Sequence, residues 1–74
     1  MNEIDLHGVK HENVQSMLDR FLWDNMQRKS TYVSIITGNS NEMKKIVNEI
    51  ITEYGYKTEQ SLTNSGVLNV NLIV

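Results

Sequence analysis

Apolar and polar residues alternate from Glu3 to His7, with Ile4 and Leu6 on one side and Asp5 and His7 on the other. A repeat of two is the signature of a short strand buried on one face, and Gly8 closes it. From about His11 to Gln27 the spacing lengthens to three and four residues. Val14, Met17, Leu18, Phe21, Leu22 and Met26 then form one stripe, which predicts an amphipathic helix. Thr31 to Thr37 carries the β-branched Val33, Ile35 and Ile36 and predicts a second strand. The cluster Gly38-Asn39-Ser40-Asn41 breaks that strand and offers oxygens to cap a following helix. That helix is expected from Asn41 to Tyr54, with Met43, Ile46, Val47, Ile50, Ile51 and Tyr54 on its stripe and Gly55 as its stop. Tyr56 to Leu62 is a weaker strand and Asn64-Ser65-Gly66 a turn. In the last strand Leu68, Val70, Leu72 and Val74 alternate with Asn69, Asn71 and Ile73.

The predicted order is βαβαββ. A strand–helix–strand connection implies a parallel pair with a right-handed crossover, and the short final turn implies an antiparallel pair. Each helix has a single apolar stripe, so both are expected on one face of a four-stranded mixed sheet. The other face is then open and polar, carrying Asp5, His7, Tyr32, Ser34, Asn69 and Asn71. The expected fold is an α/β (α+β) two-layer sandwich, one domain over residues 1–74.

Composition narrows the functions this fold can serve. The chain has 74 residues, 39% hydrophobic and 22% charged, and no Cys, so disulfides, thiolate metal sites and a Cys nucleophile are excluded. Two His residues are too few for a typical four-ligand structural zinc site. No apolar run approaches the roughly 20 residues that cross a bilayer, so no membrane partner is expected. The acidic start at Glu3 and Asp5 does not resemble a signal peptide, and the default location is cytoplasmic. The formal net charge of −2 argues against electrostatic nucleic-acid binding over the whole surface, so any such binding needs a local site.

In sheets of this kind, ligands gather beyond the carboxyl ends of the parallel strands. Asp5-Leu6-His7-Gly8 and Thr37-Gly38-Asn39-Ser40 occupy those ends, each leading into a helix start whose free N–H groups favour an anion. Lys10, Lys44 and Lys45 lie in or near those first turns, whereas Asp19, Asp24, Glu49 and Glu53 fall farther along the helices. Asp5 and His7 share a strand face, where a carboxylate can orient an imidazole or flank one phosphate with it. Imidazole is the side chain that ordinarily exchanges protons near neutral pH. These two ligands alone assign no metal, although a divalent cation such as Mg or Mn completed by water or substrate is compatible with them. The plain alternatives are a solvated strand end for Asp5 and His7 and an ordinary capped turn for Thr37 to Ser40. Met17, Met26 and Met43 are expected as core filler. Trp23 falls opposite the stripe, so it should be exposed and available to a protein partner or a second copy.

Three of these segments resemble a known family. Ile4-Asp5-Leu6-His7-Gly8 is similar to the Leu-Asp-x-His-Gly signature of small MutS-related (Smr) domains, with Ile for Leu. Ile35-Ile36-Thr37-Gly38-Asn39-Ser40 resembles that family's Ile-Ile-Thr-Gly-x-Gly segment. Asn64-Ser65-Gly66-Val67 and Asn69-Val70-Asn71-Leu72 resemble the stretch before and within its last strand. The resemblance runs in order over nearly the whole chain. It implies a fold like the C-terminal domain of a bacterial translation initiation factor, and binding to the phosphate backbone of DNA or RNA. For several members it implies endonuclease activity on DNA or RNA, including messenger RNA on stalled ribosomes. Carried over, Asp5 and His7 would be the catalytic pair. Gly8, Thr37, Gly38 and Asn39 would shape the phosphate edge. Apart from the family pattern, Lys10, His11, Ser40, Lys44, Asn64 and Gly66 are added to the expected nucleic-acid contacts, with an ordinary first-turn helix residue as the plain alternative for His11. Ser40 departs from the second Gly of the Thr-Gly-x-Gly pattern, and Thr63-Asn64-Ser65-Gly66 lacks the family's late His. The alternative is a catalytically inert module docking on a ribosome or protein through the polar face or Trp23.

Overall fold

The computed structural model describes residues 2–73. Along the chain it has β1 (Glu3–Asp5), α1 (His11–Gln27), β2 (Tyr32–Ile36), α2 (Asn41–Glu53), β3 (Thr58–Gln60) and β4 (Val67–Asn71). The sheet order is β1-β2-β4-β3. β1 runs parallel to β2, with Ile4 opposite Ile35, while β4 runs antiparallel to both β2 and β3. The expected parallel first pair and antiparallel last pair are both present. What periodicity did not contain is that β4 inserts between β2 and β3. The two most apolar strands thus take the middle, and the short β1 and polar β3 take the edges, where unpaired backbone is least hazardous.

One hydrophobic cluster holds the layers together. Leu6, Val33, Ile35, Leu68 and Val70 face Val14, Leu18 and Leu22 of α1 and Met43, Val47, Ile50 and Ile51 of α2. Each such side chain contributes about 1.5–3 kcal/mol by leaving water. The sheet residues in that list are all in one phase, so both helices cover the same face. On the opposite face the Ser34 hydroxyl donates to Asn69 Oδ1 at 2.9 Å, tying β2 to β4.

Several boundaries and burials differ from the periodic reading. The buried line of α1 is Val14, Leu18, Leu22 and Asn25, narrower than the predicted stripe. Met17 lies outside it and is 36% exposed, so it is not core filler; Met43 is buried and Met26 packs against the core. Asn25 is fully buried because its polar atoms are used locally: Nδ2 donates to the Phe21 carbonyl, and Oδ1 accepts from the Ser30 hydroxyl. Tyr54 follows α2 and is exposed, its phenol donating to Asp19 Oδ1 of α1 at 2.5 Å. Thr31 and Thr37 fall outside β2, and β3 keeps only three of the residues from Tyr56 to Leu62. β4 ends before Leu72, and Val74 lies outside the described residues. Among the described residues no helix is long and apolar enough to cross a membrane.

Both helices end in the same hydrogen-bond pattern, in which the chain doubles back onto the last turn. After α2, Gly55 and Tyr56 donate to the carbonyls of Thr52 and Ile51, with Gly55 at φ +88°. After α1, Lys29 and Ser30 donate to Met26 and Asn25 in the same way, but the left-handed position is taken by Lys29 at φ 58°.

Candidate functional site

The parallel pairing of β1 and β2 continues one residue past β1, since the Leu6 N–H donates to the Ile36 carbonyl at 2.8 Å. Both following loops therefore leave the sheet side by side at the same edge. The first loop turns at once: the Asp5 carboxylate accepts the His7 N–H at 2.9 Å, and the Val9 N–H reaches back to the Leu6 carbonyl. This turn lays the His7 ring against the second loop at Gly38. A Cβ on Gly38 would stand 2.9 Å from His7 Cδ2, and Gly38 is also at φ +69°.

A third loop, between β3 and β4, closes the arrangement. The Gly66 carbonyl accepts the N–H groups of Thr37 (2.8 Å) and Gly38 (3.1 Å) and the Thr37 hydroxyl (3.2 Å). A Cβ on Gly66 would meet the Gly38 backbone at 3.2 Å, so only a bare α-carbon allows this approach without displacement. Asn64 Oδ1 accepts the Gly66 N–H, the Ser65 hydroxyl donates to Asn39 Oδ1, and the Gln60 amide donates to the Ser65 carbonyl at 2.6 Å. The three segments that carry the sequence resemblance thus meet at one edge.

There they surround an open depression of about 520 Å³. His7, Gly8 and His11 line one side, Thr37, Asn39 and Ser40 the other, and Val9 and Met43 supply its apolar surface. Gly38 and Gly66 sit behind this lining, and Asn64 holds the third loop in place. Lys10, the exposed N-cap of α1, and Lys44, in the first turn of α2, do not line the depression. Asp5 does not line it either. β1 stops at Asp5, so His7 belongs to a turn and the two side chains no longer share a strand face. The carboxylate holds the backbone of His7 and makes no hydrogen bond to its ring.

The backbone donors divide into two sets. Thr37 and Gly38 spend their N–H groups on Gly66, so they shape the edge without presenting donors to a ligand. The Met43 N–H is satisfied by the Ser40 hydroxyl at 3.1 Å. By contrast Gly8, Lys10, His11 and Glu12 in the first segment, and Asn39, Ser40, Asn41 and Glu42 in the second, donate to nothing among the described residues. Such free N–H groups at helix starts favour an anion. His11 Nδ1 lies 3.6 Å from Glu42 Oε1, linking the first turns of the two helices. No group of three His, Asp or Glu side chains among the described residues could hold a metal ion. A divalent cation here would take most of its shell from water and phosphate.

Sequence reasoning missed Val9, Met43, Ser65 and Gln60. The first two have an ordinary apolar pattern. The last two act through contacts between loops that no local spacing encodes.

A βαβαββ sandwich whose first two strand-to-helix loops meet a third at one sheet edge defines a small α/β domain with three loops gathered at that edge. The chain belongs to the Smr domain family, whose model matches residues 4–72. No curated protein sequence matches it. Among solved structures it is similar to the solution structure of the B3BP Smr domain, with TM-score 0.79 and 24% identity over 96% of this chain and 77% of that one. It is also similar to the solution structure of the SMR domain of NEDD4-binding protein 2, with TM-score 0.75 and 24% identity over 100% of this chain and 88% of that one. At that identity the likeness shows the fold.

Proposed function

We propose that this Smr domain, taken as residues 1–74 and working in the cytoplasm, binds the phosphate backbone of DNA or RNA at the three-loop edge and cleaves it as an endonuclease. The observation that carries the reading is the set of free N–H groups from both helix starts around a depression lined by His7 and His11. Fixed donors of this kind hold a phosphate and stabilise the charge that develops on it. Gly8, His11, Asn39 and Ser40 contact the phosphate, and Lys10 and Lys44 add charge at the rim. Thr37, Gly38, Asn64 and Gly66 keep the edge in shape. His7 exchanges the proton of the attacking or leaving oxygen. Asp5 fixes the turn that aims His7, through the bond to its N–H. A divalent cation such as Mg or Mn, if bound, would polarise the phosphate oxygens.

The test is a fluorescence titration against structured RNA, single-stranded DNA and branched DNA, followed by a cleavage assay on those that bind. Salt-dependent affinity is expected for at least one, and no affinity for any would contradict the proposal. Cleavage should be lost in Asp5→Ala and His7→Ala; activity that survives both substitutions removes the catalytic assignment.

One observation favours a second reading, an inert module that docks on a ribosome or protein partner: Trp23 is 64% exposed. A pull-down lost on Trp23→Ala and unchanged by Asp5→Ala would support it.

A further inference from the structure

The outer edge of the sheet at β1 combines three features that together point to one kind of ligand. First, it has free backbone. The Ser34 N–H donates to the Asn2 carbonyl and the Leu6 N–H donates to the Ile36 carbonyl, so the even-numbered residues face β2. Alternation along a strand then turns the N–H and C=O groups of Glu3 and Asp5 outward, where no strand among the described residues pairs with them.

Second, a depression of about 590 Å³ lies between this edge and α1, where Ile4, Met17, Phe21 and Trp23 supply an apolar surface beside the charged Arg20 and Asp24. Ile4 is on the helix side of β1, in phase with Ile35. A further strand beside β1 would project alternate side chains into this same space. Third, the opposite side of β1 carries Glu3 and Asp5, both exposed, and neither forms an ion pair among the described residues.

We propose that the free edge of β1 docks an extended peptide alternating basic and apolar residues. The peptide adds to the sheet as a fifth strand, with an apolar side chain in the Ile4–Trp23 depression and Lys or Arg opposite Glu3 and Asp5. Strand addition draws affinity from main-chain bonds and selectivity from the alternating side chains. Glu3 and Asp5 offer only two N–H and two C=O groups, so the apolar surface of the depression must supply much of the binding. The charges also exclude two other occupants. A second copy pairing through its own β1 would bring its Glu3 and Asp5 carboxylates against these, and like charges across a strand pair are destabilising. Nucleic acid would set phosphates against the same carboxylates. This site shares Asp5 with the first loop of the three-loop edge, but it is built on the outward backbone of β1 and does not depend on the nuclease reading.

The experiment uses the full chain, ¹⁵N-labelled, with a capped seven-residue peptide alternating Lys and Val. A Glu–Val peptide of the same length is the control. Saturable shifts are expected at Glu3 to Leu6 and at the Trp23 indole, together with slowed hydrogen exchange at the Glu3 and Asp5 amides. Glu3→Lys and Trp23→Ala, both at exposed positions, should each weaken the Lys–Val peptide at least tenfold while leaving the remaining spectrum in place. Four outcomes overturn the proposal: no binding of the Lys–Val peptide, equal binding of the Glu–Val peptide, or binding that leaves the Glu3 and Asp5 amides exchanging at their free rate. The fourth is protection of those amides by raised protein concentration alone, which would make a second copy the occupant.

Discussion

The His7 ring rests on Gly38 so closely that a Cβ added there would stand 2.9 Å from His7 Cδ2. The contact joins the first two loops of the edge, and the Gly66 carbonyl, bonded to the Gly38 N–H, joins the third. Gly38→Ala would therefore act twice. It forces a side chain into left-handed backbone, at about 1–2 kcal/mol, and it displaces the ring. Denaturant titration should show a loss of at least that size, and the His7 ring resonances should move. Unchanged stability with unmoved His7 resonances would contradict the contact.

Lys29 offers the opposite change. It holds the left-handed position after α1 that Gly55 holds after α2, with the same pair of returning hydrogen bonds. Lys29→Gly relieves the Cβ penalty at an exposed site and should raise stability by about 0.5–1 kcal/mol. Chemical denaturation checks this; a neutral or destabilising result would mean that the lysine side chain contributes contacts outweighing the strain.

Tyr54 carries a pH signature. Its hydrogen bond to Asp19, with desolvation and the carboxylate's charge adding to it, pushes the phenol up from 10.0 to about 12. The folded state thus holds this proton more tightly than the unfolded chain. The stabilisation is complete below pH 10, fades between 10 and about 12, and is gone above. Because the side chain is partly exposed, it is worth no more than about 1 kcal/mol. Phenolate absorbance should show a component titrating near pH 12 that moves toward 10 in Asp19→Asn. Identical titration curves for the two proteins would refute the Tyr54–Asp19 bond.

How far the chain disclosed this structure depends on the range of the interaction. The limits of α1 and the start of α2 follow from local signals, namely the three-to-four spacing from Val14 to Leu22 and the Ser40 cap. The shared edge also follows, because a parallel β1–β2 pair sends both loops the same way. Asn25 escapes a hydrophobicity pattern because its polarity is cancelled by Phe21 and Ser30. Met17 escapes it in the other direction, since an apolar residue at the margin of a stripe can stay in water. The position of β4 between β2 and β3 is a long-range pairing that periodicity does not encode. The use of the Thr37 and Gly38 N–H groups by Gly66 follows from that pairing. Asp5 and His7 are expected from the alternation to share a strand face; the early end of β1 instead puts His7 in a turn whose N–H the Asp5 carboxylate accepts.

The most direct measurement of the phosphate-edge reading is an amide chemical-shift map of the full chain titrated with single-stranded RNA and with single-stranded DNA. The account predicts that at least one shifts Gly8, His11, Asn39 and Ser40, with effects that fade as salt is raised. Absent shifts with both, or shifts centred on Trp23 with the His7–Gly38 edge unmoved, would contradict it.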